Sequence, residues 1–450
     1  MKYDSVSLFD LANDNDIYVT ISKKMGDVLS DKRKRYFKNM NDLSKKLDEK
    51  ENTLYSFFWQ KLSISLRMFM KLVKLFNIQD YEKEILWIGG RTSNKGIKTP
   101  KFPFNFNSYE GGKFIAAVLG DGCFHLNFEI GYRNDSQILL REIVKTANSV
   151  FGDVELVSKT NSRIIFPVIL GKIVSKLGML QGRKTITDAT IPDFVFSSSK
   201  ECRIGFMKQI SDDEASSQIN SPNSYSIRYE FAVEIPFDKF NEREKFVPRL
   251  LLGVYRLVKD LGYSTTRIYG GRVYKGRKKK RYGVSWAFDI QGKESLEKFT
   301  KEINFRVLSR KRKLENGVKL MKINTYGKSA KFVVLSSFNK LFNENAHVTK
   351  HELSEEINRT LRNSGEWLRK LRDCGLIQCI GGNDFIGEGF CKLNGRTPIR
   401  YILTDFGAEQ LKNYIKIKEK NIIKIKACPK YTNSEPYSPW EKEQCLSDKI

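Results

Sequence analysis

The sequence contains few of the residues that build metal centres, disulfide frameworks and membrane spans. Three histidines and seven cysteines occur in 450 residues, and no two cysteines form a C-x-x-C pair, so no zinc pattern is indicated. The longest apolar runs, such as Leu250 to Val254, are far too short to cross a bilayer. The start, Met-Lys-Tyr-Asp-Ser-Val, lacks the apolar segment of a signal peptide. We therefore expect a cytoplasmic protein with reduced thiols and no membrane partner.

Positive charge is what the chain has in excess. Lysine and arginine number 79 against 52 acidic residues, which gives a formal net charge of +27. Such a field attracts polyanions and speeds association with them, so a nucleic acid is the expected partner. An AT-rich genome also favours lysine codons, so the charge alone is weak support. The length and the 40% apolar content allow two to four domains.

Two short segments each end in an acidic residue after a helical pattern. Residues 114–122 read Phe-Ile-Ala-Ala-Val-Leu-Gly-Asp-Gly, which predicts a tightly packed helix with Asp121 at its C-terminal end. Residues 207–215 carry Glu214 at the matching eighth place, so the two acids lie 214 − 121 = 93 positions apart. Asp212 and Asp213 are adjacent alternatives for the second acid, and the register from Phe206 favours Glu214.

A succession of segments around these acids resembles the LAGLIDADG homing endonuclease family, in its archaeal and intein-associated form. Between the two copies lie a helix-like stretch at 171–178, a Gly-Arg-Lys-Thr turn at 182–185 and Ile-Pro-Asp-Phe at 191–194. After the second copy, 290–299 and 302–305 resemble the closing strand and helix of the second half. The resemblance covers residues 102–320. The chain starts with Met and ends Ser-Asp-Lys-Ile, so we expect a free-standing protein rather than an intein.

The resemblance implies an α+β fold of two pseudo-symmetric αββαββα halves, at 108–203 and 204–325. Their motif helices would pack together and their sheets would form a DNA-binding saddle, with the chain acting as a monomer. Ala116, Ala117 and Gly120 suit a close helix approach. Lys208 and Gln209 are bulkier than the family's usual small residues, and Ala215 replaces the usual final glycine, so the interface is expected to be looser or locally rearranged.

The resemblance also implies hydrolysis of both strands of double-stranded DNA. Asp121 and Glu214 would be catalytic and would hold Mg²⁺, because carboxylate oxygens are its preferred ligands. The family's supplementary basic residues would be Lys184 and, in the second half, one of Lys278, Lys279 and Lys280, of which Lys279 is the expected one. Phosphate contacts are expected from the charged run at 275–282, for which a solvated loop is the alternative; its candidates are Lys278, Lys280 and Arg281. Strands are predicted at 226–235 and 282–290, and Arg228 is expected to face a DNA groove together with Glu230 and Ser285.

Residues 1–90 are predicted to form a helical domain that resembles repressor-type helix-turn-helix proteins. A short helix at 42–47 and a polar turn precede a second helix that begins near Asn52. Under this resemblance Asn52 and Thr53 face base edges, while Lys45 and Lys46 contact phosphates. An ordinary helical bundle with solvated lysines is the alternative. The glycine-rich and charged segment 91–107 is predicted to be a linker.

Residues 328–415 resemble a winged helix, with helices at 332–341, 349–357 and 364–375, a strand at 397–404 and a closing helix at 405–411. The wing would be the glycine-rich stretch 381–396. Arg362, Arg369 and Arg372 are the expected phosphate contacts. The alternative is a winged helix used for protein contact. Residues 416–450 are predicted to be a basic helix followed by a disordered tail.

Two functions follow from these observations. The first is a Mg²⁺-dependent, site-specific DNA endonuclease. The second is a catalytically inactive descendant that binds DNA as a transcription regulator. Retention of both acids favours the nuclease, because two buried carboxylates repel phosphate unless a metal lies between them. The terminal modules and the altered second copy favour the regulator.

Overall fold

The computed structural model describes residues 4–60, 63–91, 94–221, 224–275, 281–321, 330–380 and 399–426. Helices and several small antiparallel sheets make up the described chain, which confirms the predicted α+β class. Among the helices of these ranges, none combines the length and apolar character needed to cross a bilayer.

The N-terminal part is a five-stranded sheet with helices packed on it. Its elements up to residue 108 are β1 (Ser5–Val6), α1 (Leu8–Leu11), β2 (Ile17–Ile21), α2 (Lys23–Tyr36), α3 (Met40–Leu47), α4 (Glu51–Gln60), β3 (Ile64–Ser65), α5 (Leu66–Leu75), β4 (Ile85–Gly90), β5 (Gly96–Lys98) and β6 (Phe104–Asn105), with a 3-10 helix at Tyr81–Glu84. Asn39 caps α3, and Asp48 ends it in the left-handed conformation, so the chain turns directly into α4.

The segment predicted to be a linker, 91–107, contributes two strands to the sheets in its described part. Strand β5 pairs with β4, and Ile97 is fully buried. Strand β6 pairs with β1, so Phe104 lies in the core instead of in solvent. The prediction of an exposed connection is therefore wrong for these residues. The 1–90 block is also not purely helical, because β2, β3 and β4 form most of the five-stranded sheet.

The central part repeats one order of elements. The first series is α6 (Tyr109–Leu119), β7 (Gly122–Phe124), β8 (Ile130–Arg133), α7 (Gln137–Phe151), β9 (Asp153–Val154), β10 (Ser158–Lys159), β11 (Arg163–Phe166) and α8 (Val168–Ser175), followed by the short helices α9 (Lys184–Thr187) and α10 (Asp193–Ser197). The second series is α11 (Lys200–Glu214), β12 (Ala215–Ser221), β13 (Ser224–Pro236), α12 (Arg249–Asp260), β14 (Tyr269–Lys275), β15 (Arg281–Gln291), α13 (Lys293–Glu302) and α14 (Leu308–Leu320), with a 3-10 helix at Phe237–Lys245.

The sheets of the two series have the same strand order. The first sheet runs β10-β11-β8-β7, and the second runs β14-β15-β13-β12. Strands β8 and β11 lie in the centre of the first sheet, β13 and β15 lie in the centre of the second, and each central pair is antiparallel. Strand β9 stands outside this pattern, because it joins β5 and so extends the N-terminal sheet.

The N-terminal part and the central part share one hydrophobic core. Buried apolar side chains from Val6 to Met321 form a single cluster. The buried amine of Lys172, on α8, also forms an ion pair with Asp14 at 2.7 Å. The first 108 residues are therefore joined to the central part by a sheet, a core and an ion pair.

The C-terminal part has its own core, which includes Val334, Leu353, Leu371 and Leu411. Its elements are α15 (Ala330–Asn345), β16 (Val348–Thr349), α16 (Lys350–Glu356), α17 (Leu361–Asp373), β17 (Ile377–Ile380), β18 (Arg400–Leu403) and α18 (Asp405–Lys426). The strands form one sheet in the order β16-β18-β17. Thr349 and Glu352 form the capping box that starts α16. The predicted wing, 381–396, and the predicted tail beyond 426 lie outside the described residues.

Candidate active site

Helices α6 and α11 cross at two glycines that leave no room for a side chain. A Cβ atom on Gly112 would lie well inside 3.0 Å of the Cys202 carbonyl oxygen. A Cβ atom on Gly205 would lie equally close to the Tyr109 carbonyl oxygen. The two backbones are therefore in direct contact, and only glycine fits at either position.

The two contacts are reciprocal, with one constant offset along the chain. Gly205 follows Gly112 by 205 − 112 = 93 residues, and Cys202 follows Tyr109 by 202 − 109 = 93. The helices are therefore related as by a local two-fold axis, with residue i corresponding to residue i + 93. Asp121 and Glu214 have the same separation, so the crossing delivers both acids to one end of the helix pair.

Asp121 lies just beyond α6, after the C-cap Gly120. Its Oδ2 accepts a hydrogen bond of 2.6 Å from the Asn134 side chain, at the end of β8. Burial raises the pKa of Asp121, while Asn134 and the charges of Lys184 and Arg310 act in the opposite direction. The carboxylate is thus partly desolvated and held in one orientation.

Glu214 is the last residue of α11, and its carboxylate is engaged by no hydrogen bond within the described residues. Burial raises the pKa of Glu214; the Lys184 charge lowers it, and the Asp121 charge raises it further. The two predicted acids and the predicted catalytic lysine are therefore close enough to interact electrostatically.

Lys184, the first residue of α9, reaches the carbonyl end of α6. Its Nζ donates to the Leu119 carbonyl oxygen at 2.8 Å and to the Gly120 carbonyl oxygen. The preceding residue, Arg183, is held by an ion pair of 2.5 Å with the buried carboxylate of Glu234, on β13. The turn at 182–185 is thus anchored to the second sheet while it presents its lysine to the acids.

Asp213 and Asp212 are both engaged in the protein. Asp213 Oδ1 accepts hydrogen bonds from the Tyr132 hydroxyl at 2.7 Å and from Gln209 Nε2 at 2.9 Å, and its Oδ2 accepts from the Asp121 backbone N–H at 3.3 Å. Asp212 is buried and forms an ion pair of 2.8 Å with Arg306. Burial raises the pKa of Asp213 well above its ordinary value, and the Asp121 charge adds to the effect. Of the three neighbouring acids, Glu214 alone keeps both oxygens available within the described chain, which favours it as the second acid.

The polar residues of the second copy fit into the helix interface through a hydrogen-bond network. Gln209 is almost fully buried; its Nε2 donates to the Tyr132 hydroxyl at 3.1 Å, and its Oε1 accepts from Arg306 at 2.8 Å. Ala215 is extended, with a φ of −97°, so no glycine is needed there. The interface is therefore not looser at the crossing itself, and the local hydrogen-bond network accommodates the polar residues.

The lowered pKa of Lys208 makes its burial beside this network testable. Its Nζ donates to the Ile303 carbonyl oxygen and, at 3.1 Å, to the Asn304 carbonyl oxygen, and burial lowers its pKa to about 8. Between that value and the ordinary 10.5, the unfolded chain binds a proton that the folded chain does not. The free energy of unfolding therefore rises with pH across this window, and the cost of burying the charge is fully present below it.

We expect this pH dependence to disappear in Lys208→Met. Urea unfolding from about pH 7 to pH 10 should show wild type gaining stability relative to the variant as the pH rises. Lys301→Met removes an exposed lysine from α13 and is the matched control. A constant difference between wild type and Lys208→Met over this range would contradict the proposed burial of Lys208.

The donor set at the acids fits Mg²⁺. Two carboxylates from different helices supply oxygen ligands only, and their like charges need a cation between them. In the part of the chain that the structure describes, no group of three or more His, Cys, Asp or Glu side chains is arranged to hold a metal ion. Mg²⁺ is commonly held by one or two carboxylates together with substrate phosphates and water, so two acids are sufficient once DNA is bound.

The face of the second sheet that carries Arg228 and Glu230 is only partly open, because Ser285, Ala287 and Asp289 on the same face are buried. Strand register places Arg228 beside Asp289 and Glu230 beside Ala287, with Ser285 on the same face of β15. Arg228 Nε donates to Asp289 Oδ1 at 3.0 Å, and the guanidinium lies over the Tyr269 ring. Arg228 is thus a pre-positioned donor on the predicted DNA-reading face.

The predicted helix-turn-helix residues are all exposed. Lys45 and Lys46 are exposed in the last turn of α3, and Asn52 and Thr53 are exposed in the first turn of α4. Trp59, further along α4, is 79% exposed. The packed sides of the two helices are buried, so a partner would meet their polar residues together with Trp59.

The remaining predicted contacts are spread over other parts of the molecule. Arg281 donates to the Glu234 carbonyl oxygen at 2.9 Å. On α17, Arg369 is exposed, Arg362 is 92% exposed with an ion pair to Glu366, and Arg372 forms an ion pair with Asp373. The structure does not bring these three arginines to the acids. Lys278, Lys279 and Lys280 lie outside the described residues.

Four site residues were missed by the sequence reasoning: Asn134, Tyr132, Arg306 and Arg310. Arg310 Nη1 donates to the Asp212 carbonyl oxygen at 2.7 Å, at the end of α11. A signal for it exists in the sequence. The basic run 310–313 follows the closing helix of the second series, just as Arg183 and Lys184 follow that of the first.

The chain matches no protein-family model, and no curated protein matches it either.

Proposed function

We propose that this protein is a site-specific DNA endonuclease of the LAGLIDADG type. The observation that carries the proposal is the reciprocal crossing of α6 and α11, which brings Asp121 and Glu214 together beside Lys184. Two partly buried acids at the C-terminal ends of these crossing helices serve no evident packing purpose. They suit the hydrolysis of a phosphodiester.

The repeated element order supports the saddle expected for this family. Each series supplies one four-stranded sheet of identical strand order, and the reciprocal helix contacts relate the two series. Both sheets would then line one DNA duplex, with the acids between them. Since both acids come from one chain, a monomer would be sufficient for cleavage of both strands.

Each residue of the site has its own role in the proposed reaction. Asp121 and Glu214 would hold Mg²⁺, and the chemistry that the ion would supply is polarisation of a phosphoryl oxygen and a lowered pKa of the attacking water. Asn134 orients Asp121, and Asp213 ties the end of α6 to α11 through its bond from the Asp121 N–H. Lys184 supplies a positive charge next to both acids, where a scissile phosphate would lie.

DNA affinity would come mainly from exposed cations. The formal charge of +27 rewards contact with phosphates through counterion release. The exposed polar sides of α3 and α4 and the basic surface of α17 would extend the contact beyond the central part. Arg228 is the residue best placed to read a base on the second sheet.

Binding without cleavage is the second candidate, and one observation favours it. The Lys184 amine already lies at the carbonyl end of α6, close to both acids. It could balance part of their charge without a metal. A protein with this arrangement could keep the fold and bind DNA as a regulator.

A randomised double-stranded DNA library separates the two functions. Wild-type protein would be incubated with the library in Mg²⁺ or in EDTA, and both cut ends and bound fragments would be sequenced. Enriched cuts that need Mg²⁺ are the expected result. Recovery of one bound sequence that stays intact would refute the nuclease and leave the regulator.

A further inference from the structure

Each motif helix has a cation at its carbonyl end, and the two cations occupy matching positions. Lys184 donates to the Leu119 carbonyl oxygen at 2.8 Å. Arg310 donates to the Asp212 carbonyl oxygen at 2.7 Å. The two carbonyl groups are themselves related by the offset of the helix crossing, since 212 − 119 = 93. The cations therefore correspond in space under the same local two-fold relation as the acids.

The two cations also occupy matching places in the chain. Lys184 lies 184 − 175 = 9 residues after the end of α8, and Arg310 lies 310 − 302 = 8 residues after the end of α13. In each series the chain leaves its closing helix and returns to the carbonyl end of the motif helix. The correspondence thus rests on topology as well as on hydrogen bonds.

Arg310 has donors to spare for a ligand. Only one of its five N–H groups makes the bond to the Asp212 carbonyl oxygen, and the side chain is otherwise exposed. The Arg310 charge acts to lower the pKa of Asp121 and of Asp212, which places the guanidinium within electrostatic reach of one of the two proposed catalytic acids. A planar guanidinium suits bidentate contact with phosphate.

We infer that Arg310 is the phosphate-contacting catalytic residue of the second half, the counterpart of Lys184. This inference rests on the proposed nuclease function, and it gives Arg310 the role that the sequence analysis assigned to Lys279. In the reaction, a water oxygen bonds to phosphorus, the bond from phosphorus to one deoxyribose oxygen breaks, and that oxygen takes up a proton. Lys184 serves the scissile phosphate of one strand, and Arg310 serves that of the other.

The test measures cleavage of each strand separately. A duplex carrying the site selected from the library would be labelled with a different fluorophore on each strand, and single-turnover rates would be measured in Mg²⁺. Arg310→Gln should slow one strand by about tenfold or more relative to the other, so that a nicked duplex accumulates. Lys184→Gln should slow the opposite strand. Arg312→Gln removes an exposed arginine two residues further along α14 and should leave both rates unchanged.

The outcomes separate this inference from the proposed function. If wild type cuts both strands and Arg310→Gln slows both equally or neither, the role of Arg310 is refuted while the nuclease stands. If wild type cuts neither strand, the proposed function fails, and the role of Arg310 fails with it. Arg310→Lys keeps a charge and a donor for the Asp212 carbonyl group, and it should fold even if Arg310→Gln does not. Because a lysine fills this role in the first half, Arg310→Lys should cut that strand faster than Arg310→Gln does, and a folded Arg310→Lys that slows both strands equally would refute the inference.

Discussion

Alanine at Gly112 or at Gly205 is expected to destabilise the protein strongly. The added Cβ atom would meet a backbone carbonyl oxygen of the facing helix, and a backbone cannot move aside as a side chain can. Overpacking of this kind costs about 1–3 kcal/mol of unfolding free energy per site, and occasionally more. Urea unfolding of the two single variants and of the double variant would measure the effect.

Gly26→Ala is the matched control. Gly26 lies inside α2, and its added Cβ atom would meet nothing within 4 Å. The same substitution there should stabilise the protein by about 0.5–1 kcal/mol, because glycine is a poor helix residue. If Gly112→Ala and Gly205→Ala behaved like Gly26→Ala, the direct contact of α6 with α11 would be refuted.

The parts of the fold that depend on local pattern could be predicted from the sequence. Leu43 and Leu47 indicate the buried side of α3, and the alternation at 226–235 indicates β13, the strand observed there. Strands β4 and β5 were missed because Gly89, Gly90 and the charged residues after them are typical of a loop. Their partners, β2 and β9, lie far away in the chain, and only the tertiary pairing shows that these residues are strands.

The candidate site was likewise predictable from the sequence only where it depends on residue spacing. The acid spacing came from the sequence, and the structure repeats it in the glycine contacts. The register from Phe206 favours Glu214 over Asp212 and Asp213, but the physical difference between the three acids is not visible in the sequence. That difference depends on Arg306 and Tyr132, which reach the helix end from residues more than 80 positions away. Three adjacent acids of similar chemistry thus differ only in the partners that the fold brings to them.

Asp121→Asn and Glu214→Gln are expected to abolish cleavage without loss of DNA binding. Removal of one charged catalytic group typically costs at least about 100-fold in rate. Affinity measured in EDTA should stay the same or increase, because each substitution removes a negative charge that repels phosphate. Single-turnover cleavage in Mg²⁺ and binding in EDTA would be measured on the same duplex.

Two further variants test whether the loss of cleavage is specific to Asp121 and Glu214. Glu201→Gln is the same substitution at the opposite end of α11, where the side chain is exposed, and it should cut like wild type. Asp213→Asn changes a carboxylate whose two oxygens already accept three protein hydrogen bonds, so its main effect should be on stability. If Asp213→Asn abolished cleavage and Glu214→Gln did not, Asp213 would be the second acid. The network around it would then have to open when DNA binds. If only Asp121→Asn and Glu214→Gln abolish cleavage, and both keep or increase their affinity for DNA, the chemistry belongs to these two acids.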